Sequence, residues 1–153
     1  EKCLAGDARH CPGRTVLGIV GRDGCHAEYL TLPSQNLLEI PENVSDAEAV
    51  FAEPLAAAYG ITEQVQIGPE TKVAVIGDGK LGLLCAMSLR LKSADVTILG
   101  RHRSKLAIAE AADIAGVLSQ DAVKFNRDFD VVVEASGTFG LAEARTWTAS
   151  QVP

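Results

Sequence analysis

Three glycines at positions 77, 79 and 82 are spaced as Gly-x-Gly-x-x-Gly between two apolar runs. Glycine lets a backbone approach a phosphate closely, and the first turn of a following helix offers free N–H groups to an anion. The run "VAVI" (73–76) favours a buried strand and the run after Gly82 favours a helix, which is the context that dinucleotide binding requires. The alternative is a glycine-rich turn without a ligand. The residues predicted to hold the pyrophosphate are Gly77, Gly79, Lys80, Leu81 and Gly82.

The segment about twenty residues downstream bears on which dinucleotide would bind. An acidic residue at the end of the second strand usually bonds the adenosine ribose of NAD. Here the run "DVTIL" (95–99) leads into Gly100, Arg101 and Arg103. A small residue followed by two arginines would accept the 2′-phosphate that an acid would repel, so NADP is predicted in preference to NAD. The alternative is that the arginines form only the solvated start of a helix.

Two further positions are candidates for contact with the same cofactor. Lys105 lies one helical turn beyond Arg101 and could reach the ribose or its phosphate. The residues "EASG" (134–137) end another apolar strand, on the edge of the sheet where open α/β folds bind ligands. Ser136 and Gly137 are therefore candidates for the nicotinamide end. A plain strand-to-helix loop of small residues is the alternative.

The elements that would position these residues alternate between strands and helices. Apolar strand patterns occur near 72–77, 95–99, 116–119 and 129–134, and helical patterns near 80–91, 103–112 and 138–148. Strands that alternate with helices predict a parallel sheet covered on both faces. The fold class is therefore α/β, with part of a doubly wound Rossmann sheet.

The N-terminal third has a different sequence pattern. Short β-like runs at 15–21, 26–32 and 36–40, with a turn at 22–24, predict part of a β-rich domain. Ser45-Asp-Ala-Glu48 is a capping box that begins a helix extending to about Ile61, with a break expected at Pro54. We place the domain boundary after residue 60, which gives domains of 1–60 and 61–153.

Composition limits the classes of partner. Of the 153 residues, 47% are hydrophobic and 22% are charged, as in ordinary globular domains. The net charge of −6 argues against nucleic acid or an anionic membrane as a partner. Charged residues interrupt every apolar run before it reaches the length that spans a bilayer. Four cysteines without a secreted disulfide spacing favour a reducing, cytoplasmic location.

Five segments, taken in order, resemble the zinc-dependent medium-chain dehydrogenase/reductase family, which includes alcohol, polyol and threonine dehydrogenases. The resemblance covers most of the chain and implies a GroES-like catalytic domain followed by a Rossmann domain. The segments are "CLAGDARHC" (3–11), "DGCHAEYLTLP" (23–33), "EPLAAA" (53–58), "VIGDGKLGLL" (75–84) and "DVVVEASG" (130–137).

The resemblance also implies an activity and a set of ligands. It implies reversible hydride transfer between an alcohol or polyol and a nicotinamide cofactor, assisted by a zinc ion that acts as a Lewis acid. Cys3 and Cys11 match two thiolate ligands of the family's structural zinc, and Glu53 matches a glutamate at or beside its catalytic zinc. Lys105 matches a lysine that contacts the adenosine ribose. Two unligated thiols and an ordinary helix carboxylate are the alternatives, and no residue is assigned a catalytic role.

Several parts of the family pattern have no counterpart in this sequence. Missing are the first ligands of the catalytic zinc and the first two cysteines of the structural site, so we expect an internal piece that is inactive alone. The whole enzyme is expected to be a homodimer or a homotetramer. A zinc-free quinone reductase of the same superfamily and a non-catalytic dinucleotide-binding module are the alternative functions.

Overall fold

The computed structural model of the chain describes residues 11–124 and 128–137. The chain divides into two compact units, and the boundary lies between Pro41 and Glu42. The helix predicted at 138–148 lies outside the described residues. No helix in the described part is both long and apolar enough to cross a membrane.

The second unit contains a four-stranded parallel sheet. Its strands are β1 (Val73–Ile76), β2 (Val96–Gly100), β3 (Ala115–Leu118) and β4 (Val131–Glu134). They are arranged in the order β3-β2-β1-β4, which is the order of four strands of a doubly wound sheet. In the register, Val75 lies beside Ile98 on one side and Val133 on the other. The predicted α/β fold class and all four predicted strands are confirmed.

Apolar side chains explain why β1 and β2 lie at the centre of this sheet. Val73, Val75 and Ile98 are fully buried, and alternate residues of the strands face opposite sides of the sheet. On one side they join a core cluster that includes Leu89 and Leu106, and on the other Ala74 and Leu99 pack with Phe129. Each large buried side chain contributes about 1.5–3 kcal/mol by leaving water, so this core holds the strand ends in fixed positions.

In the part of the chain that the structure describes, five α-helices precede or connect the strands. They are α1 (Asp46–Ala49), α2 (Ala52–Tyr59), α3 (Ile61–Gln64), α4 (Lys80–Arg90) and α5 (Arg103–Glu110). Helices α4 and α5 pack on the sheet, and α2 packs on α4. The helices predicted near 80–91 and 103–112 are therefore confirmed.

The predicted helix from Ser45 differs from the observed structure in where it breaks. The capping box is confirmed: the Glu48 carboxylate accepts hydrogen bonds from the Ser45 N–H (2.9 Å) and the Ser45 hydroxyl (2.6 Å). The break lies at Val50–Phe51, between α1 and α2, and not at Pro54. Pro54 is the third residue of α2, where a backbone N–H has no partner within the helix, so proline is tolerated there.

The first unit contains less regular structure than its sequence predicts. Within residues 11–41 there is one isolated antiparallel bridge, Val16 to Val20, and one 3-10 helix, Ser34–Asn36, but no strand. The tight turn lies at 17–19 and not at 22–24. A strand needs a neighbour for its backbone N–H and C=O groups, and the described part of this unit supplies none to the runs at 26–32 and 36–40.

Candidate cofactor-binding site

The glycine loop (residues 77–82) joins β1 to α4 and fits tightly against its surroundings. Gly77 has a φ of 116°, and a Cβ at this residue would lie 2.7 Å from the backbone of Ala135 and Ser136. A Cβ on Gly82 would overlap the carbonyl oxygen of Gly77. Neither position can hold a larger residue unless the backbone moves.

Gly79 has a different environment from the other two glycines. A Cβ on Gly79 would meet nothing within 4 Å, so the space beside it is open. Gly79 directly precedes α4, which has no side-chain N-cap hydrogen bond among the described residues. The first N–H groups of α4 therefore face an open space beside a residue without a side chain, which fits the pyrophosphate of a dinucleotide.

Three strand ends meet around this loop. The Gly77 N–H donates to the Leu99 carbonyl at the end of β2 (2.8 Å). The Ala135 N–H, just after β4, donates to the Ile76 carbonyl at the end of β1 (2.8 Å). The structure thus brings the glycine loop together with two other predicted segments, Gly100–Arg101 and Ser136–Gly137. Ligands of open α/β sheets bind at such an edge.

The end of β2 holds an acid that the sequence does not reveal. Gly100 is buried, and a Cβ on it would lie 2.6 Å from Cγ and Oδ2 of Asp78. Asp78 belongs to the glycine loop, and 9% of its side chain is exposed. Its Oδ2 accepts from the His102 N–H (2.6 Å) and lies 3.0 Å from His102 Nδ1. The Asp78 side chain therefore fills the space that a side chain at position 100 would occupy.

The partners of Asp78 keep its carboxylate ionised. Burial alone would raise the pKa of Asp78 by disfavouring the charged form. Hydrogen bonds from the backbone and ring of His102, the charge of that ring and the Arg101 N–H outweigh burial, and the pKa lies below its ordinary value. A negative charge is therefore present at the end of β2 at neutral pH.

The basic residues after β2 have unequal environments. Arg103 Nη1 lies 3.1 Å from Glu110 Oε1, an ion pair between the two ends of α5. Arg101 is exposed, and the described residues place no carboxylate within 4 Å of its guanidinium. Lys105 is half-buried, while Lys80 and Leu81 are exposed at the start of α4. Of the two arginines, Arg101 is thus the one without an ion pair in the described part of the chain.

The chain is related in sequence to curated proteins. No protein-family model matches the chain. It is 32% identical to a probable D-xylulose reductase A from Aspergillus clavatus, an alignment that covers 90% of this chain and 42% of that protein. The chain thus spans less than half the length of the curated relatives it matches.

Solved structures agree with this relationship. A putative zinc-binding dehydrogenase from Sinorhizobium meliloti 1021, bound to NADP, superposes with a TM-score of 0.80 at 30% identity, over 90% of this chain and 43% of that one. A short chain alcohol dehydrogenase from Escherichia coli CFT073, complexed with NADH, superposes with a TM-score of 0.81 at 25% identity and the same coverage. The chain belongs to the medium-chain dehydrogenase/reductase family. The resemblance read from its sequence segments is confirmed.

The metal ligands predicted from this family are not brought together in the described residues. Cys11 is half-buried and a free thiol, whereas Cys3 lies outside the described residues. Glu53 is exposed on α2. The described residues contain no group of three His, Cys, Asp or Glu side chains that could hold a metal ion. They therefore do not fit a zinc ion by themselves, and the roles of Cys3, Cys11 and Glu53 stay predictions.

The two remaining cysteines lie in different environments. Cys85 is buried in the core under α4, and burial raises the pKa of its thiol. Cys25 is an exposed free thiol. The residue that sequence reasoning missed is Asp78, although an acid inside the glycine loop together with a glycine at the end of β2 was a signal that could have found it.

Proposed function

We propose that this chain binds the cofactor of an alcohol or polyol dehydrogenase, which transfers a hydride between a CH–OH group and NAD or NADP. The observation that carries the proposal is the open space beside Gly79, at the uncapped start of α4 and between three strand ends. A relative named as a D-xylulose reductase and relatives solved with NADH or NADP support it.

Different residues of the chain would bind different parts of the cofactor. The N–H groups at the start of α4, from Lys80, Leu81 and Gly82, would bind the pyrophosphate between Gly77 and Gly79. Ser136 and Gly137 would lie against the nicotinamide end. The Ser136 N–H is held by Glu134 Oε1 at 2.6 Å, which fixes the path of that loop. When bound, the nicotinamide supplies or accepts the hydride.

We further propose that NADP is preferred. Gly100 adds no side chain to the end of β2, and the exposed Arg101 offers a fork of donors to a 2′-phosphate. Arg103 and Lys105 add positive charge along α5. Asp78 opposes this preference, but its carboxylate already accepts hydrogen bonds from His102 and the Arg101 N–H, which offset part of its charge.

The proposal extends to the whole enzyme. Cys3 and Cys11 would belong to a structural zinc site and Glu53 to the surroundings of a catalytic zinc, with further ligands from outside the described residues. We propose a cytoplasmic homodimer or homotetramer that acts on a small-molecule alcohol or polyol, with neither nucleic acid nor a membrane as a partner.

Equilibrium titration of the purified chain with NADH and with NADPH tests the proposal. Nicotinamide fluorescence at fixed salt gives each dissociation constant, and circular dichroism establishes that the chain is folded. Gly79→Val fills the open space without touching the core, so it should weaken both cofactors by about tenfold or more, in line with a steric block at the phosphate. A folded chain that binds neither cofactor would refute the proposal.

A further inference from the structure

The relation between Asp78 and Gly100 carries an inference that rests on the proposed function and deepens it. In a sheet of this order an acid at the end of β2 would face the adenosine ribose. Position 100 has no side chain, and the space above it is filled by Asp78 from the neighbouring strand end. A carboxylate is therefore present at this place, although it comes from a residue 22 positions earlier in the chain.

The hydrogen bonds of Asp78 leave part of the carboxylate available. A carboxylate has about four acceptor positions on its two oxygens. Oδ2 accepts the His102 N–H, and the ring Nδ1 lies 3.0 Å from Oδ2 and 3.2 Å from Oδ1. With the Arg101 N–H, three donors approach the group, so at least one acceptor position remains. The 9% of the side chain that is still exposed gives a ligand access to it.

We propose that Asp78, in place of residue 100, is the specificity-determining acid for the 2′ position of the adenosine ribose, and that His102 limits its effect. The carboxylate can accept a bond from the 2′-hydroxyl of NAD, whereas it repels the 2′-phosphate of NADP. The His102 ring is about half exposed, and its Nδ1 lies 3.0 Å from Asp78 Oδ2, so an Nδ1–H occupies an acceptor position of the same carboxylate. Arg101 attracts the 2′-phosphate from the adjacent position, so the choice of cofactor follows from the balance between Asp78 and these neighbours.

The first test removes the charge of Asp78 and keeps its shape. In Asp78→Asn, the affinity for NADPH relative to NADH should rise about three- to tenfold, as expected for a charge a few ångströms away in a partly solvated site. The ratio is the readout because a general loss of structure weakens both cofactors alike. Asp113→Asn removes the same charge at the opposite end of the sheet, just before β3, and should leave the ratio unchanged.

The second test changes His102, the partner of Asp78. Because this side chain is about half exposed, the variant is expected to fold. His102→Leu removes the ring donor but keeps the backbone N–H that bonds Asp78. The uncovered carboxylate should lower the affinity for NADPH relative to NADH by about two- to threefold. A ratio that rises or stays the same in this variant would contradict the role given to His102.

The third test moves the acid to the place where it is expected in a dinucleotide-binding domain. Gly100→Asp alone should unfold or distort the loop, because its Cβ would lie against the Asp78 side chain. Adding Asp78→Gly removes that side chain, so the double variant should fold and recover the wild-type preference. Asp78→Gly alone should favour NADPH.

The outcomes separate the two proposals. If the folded chain binds neither cofactor, the proposed function fails. If it binds both and the NADPH-to-NADH ratio is the same in the wild type, Asp78→Asn and His102→Leu, the function stands and the inference about Asp78 is wrong. A double variant that stays unfolded while Gly100→Asp folds would also overturn it.

Discussion

Residues 11–41 and the sheet that begins at Val73 both contain apolar runs, but only those of the sheet form strands. In the sheet, Val73, Val75 and Ile98 are fully buried and paired with neighbouring strands. In the first unit, Tyr29 is 90% exposed and Leu38 is 91% exposed. An apolar run thus forms a strand only where partners for its backbone and its side chains lie within the same unit.

The largest expected contrast comes from truncating one leucine in each region. Leu89→Ala leaves a cavity under α4, where Leu89 is fully buried, and should lower the free energy of unfolding by about 2–5 kcal/mol. Leu38→Ala removes an exposed side chain and should change it by less than about 0.5 kcal/mol. Urea unfolding followed by circular dichroism measures both. Equal losses in the two variants would contradict the contrast between the regions.

The next contrast comes from adding one methyl group to a glycine. Gly82→Ala places a Cβ on the carbonyl oxygen of Gly77, so the helix and loop must separate, at a cost of about 1–3 kcal/mol in unfolding free energy. Gly13→Ala in the first unit meets nothing within 4 Å and should have no measurable effect. The midpoint of thermal unfolding reports both variants. A stable Gly82→Ala protein would show that α4 is not packed closely on the loop.

A smaller effect, on pH dependence, comes from Asp78. Because its pKa is lowered by folding, its contribution to stability is fully present above the unfolded pKa of about 3.9 and is lost as the pH falls through the lower folded value. At pH 7, Asp78→Asn should lower the free energy of unfolding by about 1.5–3 kcal/mol, as for a hydrogen bond to a charged group. The difference should shrink below pH 4. Urea midpoints at pH 7 and pH 3 measure it, and a constant difference would contradict an ionised Asp78.

Patterns local in the sequence predicted most of the sheet and the glycine loop. The strands at 73–76 and 96–100 have buried runs with a helix between them, and both the glycine spacing and the capping box act within a few residues. The missing strands in residues 11–41 could not be predicted, because pairing depends on neighbours that a run does not itself encode. The break predicted at Pro54 was wrong for a related reason, because the effect of a proline depends on where the helix begins.

The environment of Gly100 depends on a contact between residues far apart in the sequence, which the sequence alone does not predict. The absence of an acid at position 100 is visible in the sequence, but the contact of Asp78 with that glycine joins two separate strand ends. The prediction of NADP, made from Gly100 and the two arginines that follow it, therefore omitted a charge that only the packing of β1 beside β2 brings in. The arginines after β2 still favour NADP, but of the two only Arg101 is without an ion pair in the described residues.

Amide hydrogen exchange of the folded chain, measured by NMR with and without NADPH, tests the central claim most directly. The N–H groups of Lys80, Leu81 and Gly82 precede the first helical hydrogen bond of α4, which the Leu83 N–H donates to Gly79. If they bind the pyrophosphate, their exchange should slow by at least about tenfold when NADPH is saturating, while the N–H groups of Asp46 and Ala47 in α1 remain unchanged. NADPH that binds without slowing exchange at these three residues would contradict the account.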